Sequence, residues 1–212
     1  MKKAIITGAS SGLGAAIAKK LDKQKVSIVN ISTSSTTYTD IICDLKNKSQ
    51  REETIKQIRA DHSDCDVLIL NAGVMPREAV GKIQTNSSEV FEINTISNIH
   101  FINQLLDILI HNHADIILVG STAAYKHPNN SLVYTASKSA MKSMAKTLQK
   151  ELADKPVRVI GFHPGGFNSN LRGGVQKDRY MNPSDLADII YNLLLIPKSI
   201  EVSEIVINRK SQ

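Results

Sequence analysis

Short strand-like runs alternate with longer helix-period segments from one end of this 212-residue chain to the other, and few folds accept that alternation. Several of the runs, such as Val67-Leu68-Ile69-Leu70 and Ile116-Ile117-Leu118-Val119, have no polar face at all. A strand of that kind is buried on both sides, which requires helices above and below a parallel sheet. Strands are predicted over residues 4–7, 26–31, 41–43, 67–70, 116–119, 157–162 and 204–208.

The segments between them carry helical periodicity. Residues 12–23 repeat Leu13, Ile17 and Leu21 on one face, and residues 49–60 form a charged amphipathic helix. Residues 87–111 read as one long helix, and residues 131–153 as another with Ala140, Met144, Leu148 and Leu152 as its stripe. Asn182-Pro183-Ser184-Asp185 opens a further helix, with Asn as cap and Pro in the first turn. The predicted fold class is α/β, a three-layer doubly wound parallel sheet of about seven strands, with residues 1–212 as one domain. The Ser/Thr-rich stretch 32–40 is expected to be a loop facing a ligand, and 164–181 an irregular Gly-rich segment.

Composition excludes several classes. A hydrophobic share of 42% and a charged share of 22% fit neither disorder nor a membrane protein. The apolar stretch 189–196 is far shorter than the roughly 20 residues a spanning helix needs. The first residues do not read as a signal peptide. Cys43 and Cys65 lack metal-ligand spacing and are too few for a disulfide framework, so free thiols in a reducing cytoplasm are expected, with no metal site. The net charge of +6 is spread over helix surfaces (Lys19, Lys20, Lys23, Lys25; Lys142, Lys146, Lys150) with no Trp, which fits solvated faces better than a nucleic-acid partner.

Thr7-Gly8-Ala9-Ser10-Ser11-Gly12-Leu13-Gly14 stands where the first strand turns into the first helix. Free N–H groups and a positive helix end at such a place suit a dinucleotide pyrophosphate. Three glycines there allow a tight turn, close approach of phosphate and close helix-to-sheet packing. Farther on, Tyr134 and Lys138 lie four apart near a helix start, hence on one face. A phenol titrating near pH 10 becomes an acid/base group at neutral pH only if its pKa falls by about 3 units, some 4 kcal/mol, which a close ammonium in a poorly solvated cleft can supply.

With these motifs in their order, the chain resembles the short-chain dehydrogenase/reductases, single-domain enzymes of the Rossmann type, nearly from end to end. The likeness is carried by Thr7 to Gly14, by Asn71-Ala72-Gly73 at a central strand end, by Asn94 in the helix that follows, by Ser121 thirteen residues before Tyr134, by Lys138, and by Pro164-Gly165 after the sixth strand. Asp44-Leu45 matches a pair that contacts the adenine, and Ser169 a position that contacts the nicotinamide amide.

The resemblance implies that Asn94, Ser121, Tyr134 and Lys138 are catalytic: Tyr134 gives a proton to the carbonyl oxygen, Ser121 holds that oxygen, Lys138 binds the nicotinamide ribose, and Asn94 holds a proton-relay water. It also implies cofactor contacts from Thr7, Gly8, Ser10, Ser11, Gly12, Leu13 and Gly14. No acidic residue ends the second strand; Ser32 and Thr33 offer hydroxyls instead, so NADP(H) is preferred over NAD(H). The basic residue usual in NADP-binding relatives is also absent, with Ser11 beside Gly12.

Substrate contacts are expected from Ser121, Tyr125, Tyr134 and Phe167, in a mostly apolar wall that also takes Met75, Leu171, Tyr180 and Met181 and suits a small hydrophobic ketone, aldehyde or dicarbonyl. The alternatives are an NAD-linked alcohol or hydroxysteroid-like dehydrogenase, and a dinucleotide-binding sensor without turnover. Pairing of the two long helices between subunits, common in the family, implies a homodimer or homotetramer. Small-molecule carbonyls or alcohols are then the partners, and neither nucleic acid nor membrane.

Overall fold

The computed structural model describes residues 1–169 and 180–210. Seven strands, β1 (Lys3–Thr7), β2 (Ser27–Ser32), β3 (Thr39–Ile42), β4 (Val67–Leu70), β5 (Asp115–Val119), β6 (Arg158–Pro164) and β7 (Glu204–Ile207), form one parallel sheet in the order β3-β2-β1-β4-β5-β6-β7. Each lies within a residue or two of its expected position. The chain runs outward from β1 through β2 to β3, then returns to start the other half at β4. That reversal opens a crevice at the carboxyl ends of β1 and β4.

Strand residues alternate between two apolar clusters. Ile5, Leu68, Leu70, Ile116 and Leu118 join Phe101, Leu105 and Ile58 on one side, from α2 (Lys48–Asp61) and α4 (Ser97–His111). Ala4, Ile6, Ile69, Ile117 and Phe162 meet Leu13, Ile17 and Ile190 on the other, from α1 (Gly12–Lys23) and α7 (Pro183–Leu195). Each fully buried Leu or Ile side chain contributes about 1.5–3 kcal/mol relative to exposure, so having both faces covered is what holds these short strands.

The single helix expected over 87–111 is divided into α3 (Ser87–Phe91), a π-helical turn (Glu92–Ile96) and α4. The wide turn carries Asn94, whose side chain is tied outside the helix, and the polar residues after it bond back: Ser97 Oγ to Ile93 O (2.9 Å) and Asn98 Nδ2 to Asn94 O (2.9 Å). A short α5 (Ala123–Lys126) precedes α6 (Leu132–Glu151). The stripe expected on α6 is corrected in part: Tyr134, Ser137, Lys138, Met141 and Ala145 are its buried residues and Leu152 at its end is buried as expected, whereas Met144 and Leu148 only edge the core. The first half of that buried face is polar because it fronts the crevice.

At the opposite end of the sheet, Arg158 donates to both carboxylate oxygens of Asp115 (2.9 and 3.2 Å) and to Leu193 O and Ile196 O (3.1 and 2.8 Å). Lys198 Nζ adds a contact of 2.7 Å to Asp115. One buried ion pair thus joins β5, β6 and the end of α7.

Candidate active site

A cleft of ≈ 530 Å³ occupies the crevice, its floor made by the strand ends and its rim by the loops that follow them. On one side is the β1–α1 loop. Gly8 has φ +73°, a conformation open chiefly to glycine, and a Cβ on Gly14 would lie 2.2 Å from Gly8 O, so the helix can press this close only without one. Gly8, Ser10, Ser11, Gly12 and Leu13 line the cleft; Gly14 lies beneath them.

Thr7 does not reach the cleft wall, contrary to expectation. It is fully buried, and its hydroxyl accepts the N–H groups of Asn71 (2.9 Å) and Ala72 (3.0 Å), clamping the ends of β1 and β4 together. Asn71 Nδ2 returns the bond to Thr7 O at 3.0 Å. Asn30 accepts the Ala9 N–H (2.9 Å) and donates to Ser32 Oγ (2.9 Å) and to Asp40 (2.7 Å), which braces the glycine loop from β2.

The residues expected to meet the adenosine lie together along the cleft. Ser32, Thr33, Asp44 and Leu45 line the cleft away from Tyr134, and Asn71, Ala72 and Gly73 line its centre. Pro164, Gly165, Phe167 and Ser169 close the side nearest β6. Among the described lining residues, Lys138 and Asp44 are the charged ones.

Ser121, Tyr134 and Lys138 share the wall at the other end. Ser121 follows β5, and its Oγ accepts the Ala123 N–H at 3.1 Å. Lys138 is only 4% exposed; its Nζ donates to Val119 O at 2.9 Å, and burial pushes its pKa down to about 8. An ammonium has three donors, so two remain for a ligand beside Val119 O. A dinucleotide fits this set: a glycine cradle that a Cβ would fill stands at one end, and a desolvated cation with donors to spare at the other.

Asn94 is placed behind the wall, not on it. It is fully buried; its Oδ1 accepts Val74 N (2.8 Å), and its Nδ2 donates to Val74 O (2.9 Å) and Ser137 Oγ (2.9 Å). Both amide hydrogens are engaged, so the side chain fixes the segment after Gly73 and leaves no donor for the expected relay water. Ser137, which the sequence did not single out, completes that brace through Tyr134 O (2.8 Å).

Tyr125 is a second correction. It lines neither this cleft nor the cavity next to it. Its hydroxyl donates to Glu204 on β7, its ring meets His163 edge-on at 5.4 Å, and Lys142 Nζ lies 3.8 Å above it. Burial and the Glu204 carboxylate both raise its pKa. His163, invisible to sequence reasoning apart from preceding Pro164-Gly165, is buried behind Gly120, and desolvation lowers its pKa to about 4. Of the other expected wall residues, Met75 lines both this cleft and the neighbouring cavity, Tyr180 lines the neighbouring cavity, Met181 packs on the core and bridges Phe167, and Leu171 lies outside the described residues. Cys43 and Cys65 are free and buried, and no metal-binding cluster occurs among the described residues.

The short chain dehydrogenase family model matches residues 2–180. An uncharacterized oxidoreductase of Staphylococcus saprophyticus is 27% identical over 227 aligned positions, spanning 97% of this chain and 96% of that one. An alcohol dehydrogenase from the archaeon Thermococcus sibiricus, solved with 5-hydroxy-NADP, superposes with a TM-score of 0.92 at 23% identity, covering 100% of this chain and 98% of its own. A 3-ketoacyl-(acyl-carrier-protein) reductase from Brucella melitensis, solved with NADH, gives 0.87 at 21% identity, with 97% and 95% covered. The two structures share the fold; the family match, over most of the chain and in line with the glycine loop and the Ser121, Tyr134 and Lys138 wall, places this protein among the short-chain dehydrogenases.

Proposed function

We propose that this enzyme reduces a small ketone, aldehyde or dicarbonyl with NADPH, Tyr134 giving the proton. The observation that carries the reading is that the glycine-loop end and the Ser121, Tyr134 and Lys138 end line one continuous cleft. The bound dinucleotide supplies the hydride. Ser121 Oγ donates a hydrogen bond to the substrate oxygen and stabilises the charge that grows there. Tyr134 passes its proton to that oxygen, and the buried ammonium of Lys138, one helical turn on, favours the phenolate left behind. Asn94 acts through the backbone: by holding Val74 it fixes the Gly73 strand end against which the ring and substrate lie.

NADP(H) is favoured because β2 ends on Ser32 with no carboxylate, and because hydroxyls of Ser32, Thr33, Ser10 and Ser11 stand along the cleft. The relatives solved with 5-hydroxy-NADP and with NADH show that the fold takes either form. We further infer one domain that carries both sites, a cytoplasmic location in keeping with two free, buried thiols, and a homodimer or homotetramer. Exposed Ile99 and Leu132 on the two long helices, with Ile96 in the turn before the first, support association. Light scattering should give a multiple of the 23.2 kDa chain, and a monomer at micromolar concentration would refute it.

The test is NADPH consumption over a panel of ketones, aldehydes, quinones and diketones, repeated with NADH. Turnover with lower KM for NADPH is expected. A marked advantage for NADH would overturn the cofactor preference, and inertness of the whole panel with tight nucleotide binding would favour a sensor.

A further inference from the structure

A second cavity, ≈ 370 Å³, opens from the catalytic end of the cleft and shares Met75, Ser121, Tyr134 and Gly165 with it. A substrate whose carbonyl sits at Ser121 and Tyr134 extends into this space. The wall is not the mostly apolar one expected from the sequence. Arg77 from the loop after β4, Lys126 from the end of α5 and Arg209 from the segment after β7 converge on it, and among the described residues no Asp or Glu lines it. Arg77 and Lys126, brought together from the loop after β4 and the end of α5, differ from lysines strewn along one helix.

The carboxylates nearest in sequence are committed elsewhere. Glu78, beside Arg77, accepts Gln84 N (3.0 Å) and Thr85 N (3.1 Å) and so closes its own loop. Glu204 takes the Tyr125 hydroxyl and lies 3.3 Å from His163 Nε2. A backbone bridge between Glu78 and Ser131 holds the Arg77 loop against the start of α6, directly before Tyr134. Among the described residues, Arg77 and Lys126 therefore give the cavity a positive far side while its near side holds the reacting groups.

The geometry points to a substrate that carries an anionic oxygen group, a carboxylate or a phosphate, at the end away from its carbonyl, with Arg77 and Lys126 as the residues that select it. This rests on the carbonyl-reductase reading above. Guanidinium is suited to such groups because its planar fork pairs with two oxygens at once, and lysine adds an adaptable point charge. The volume lies near the lower end of the roughly 300–1,000 Å³ typical of ligand pockets, which favours a compact oxo acid or phosphorylated ketone.

The test compares matched short-chain ketones, one bearing a free carboxylate, one its methyl ester and one a phosphonate, with NADPH at saturation. An anionic form preferred over the ester by at least about tenfold in kcat/KM is expected, one bidentate charged contact being enough for that ratio. Carboxylate over phosphonate identifies an oxo acid, and the reverse identifies a phosphate ester. The preference should shrink with added salt, because Arg77 and Lys126 are solvent-exposed, and should fall toward one in R77Q and K126Q while R77K keeps part of it. The salt series needs no variant and decides the matter if a substituted loop fails to fold. Equal or better use of the ester overturns the charge selection and leaves carbonyl reduction standing; inertness toward all three, and toward the wider panel, overturns both.

Discussion

Lys138 occupies a position that a folded protein does not choose for stability. Its ammonium is buried with Val119 O as partner, and desolvation holds its pKa near 8 against an ordinary 10.5. The folded state binds that proton more weakly than the unfolded chain does. Below about pH 8 the penalty is fully present; between about 8 and 10.5 stability rises with pH as the unfolded chain alone stays protonated. The cost near neutral pH is up to about 3 kcal/mol. Lys138→Met should therefore raise the Tm of the cofactor-free protein at pH 7 while turnover collapses, and the Tm difference should vanish toward pH 10. A variant less stable than the parent at pH 7 would contradict this. The pairing of Tyr134 with Lys138 was legible in the sequence from four-residue spacing. The engagement of Asn94 was not, since its partners, Val74 and Ser137, are set by tertiary packing.

Among the elements, the β1–α1 turn is the one whose chemistry was written most fully in the chain. A glycine whose Cβ would stand 2.2 Å from another residue's carbonyl oxygen has no substitute, so Gly14→Ala should force the helix off the sheet. We expect a loss of about 2–4 kcal/mol in stability, by denaturant unfolding, and at least about a tenfold weaker dinucleotide binding by fluorescence titration. Unchanged binding would show that the loop tolerates a shifted α1. The strands were equally legible, because burial on both faces leaves unbroken apolar runs such as 67–70 and 116–119. The π-helical turn at Glu92–Ile96 was hidden, because its cause lies in a bond to another loop. Tyr125 was misplaced for the same reason: its direction is set by Glu204, on a strand far along the chain.

In the whole molecule, stability and chemistry are divided between the two ends of the sheet. The carboxyl ends of the strands carry the cleft, and the opposite end carries the Asp115–Arg158 pair that ties β5 and β6 to the last turn of α7. Arg158→Met strands a carboxylate with only the half-exposed Lys198 beside it and should cost about 3–5 kcal/mol. That corresponds to roughly 10 °C or more in Tm for a chain this size, with kcat/KM at low temperature close to the parent's. A large kinetic defect without thermal destabilisation would mean that the two ends are coupled. No helix among the described residues is long and apolar enough to cross a membrane. The cations of the second cavity were the least readable feature of all, since Arg77, Lys126 and Arg209 come from two loops and the end of a short helix with no shared periodicity.

The proton path at Tyr134 is tested most directly by single-turnover loss of NADPH absorbance with a turned-over ketone, comparing the parent with Tyr134→Phe. The phenol's removal should slow the reduction by about 10²- to 10⁴-fold while the NADPH dissociation constant, measured by fluorescence, stays within about twofold. A Phe variant that reduces the ketone at the parent's rate would show that the proton comes from elsewhere.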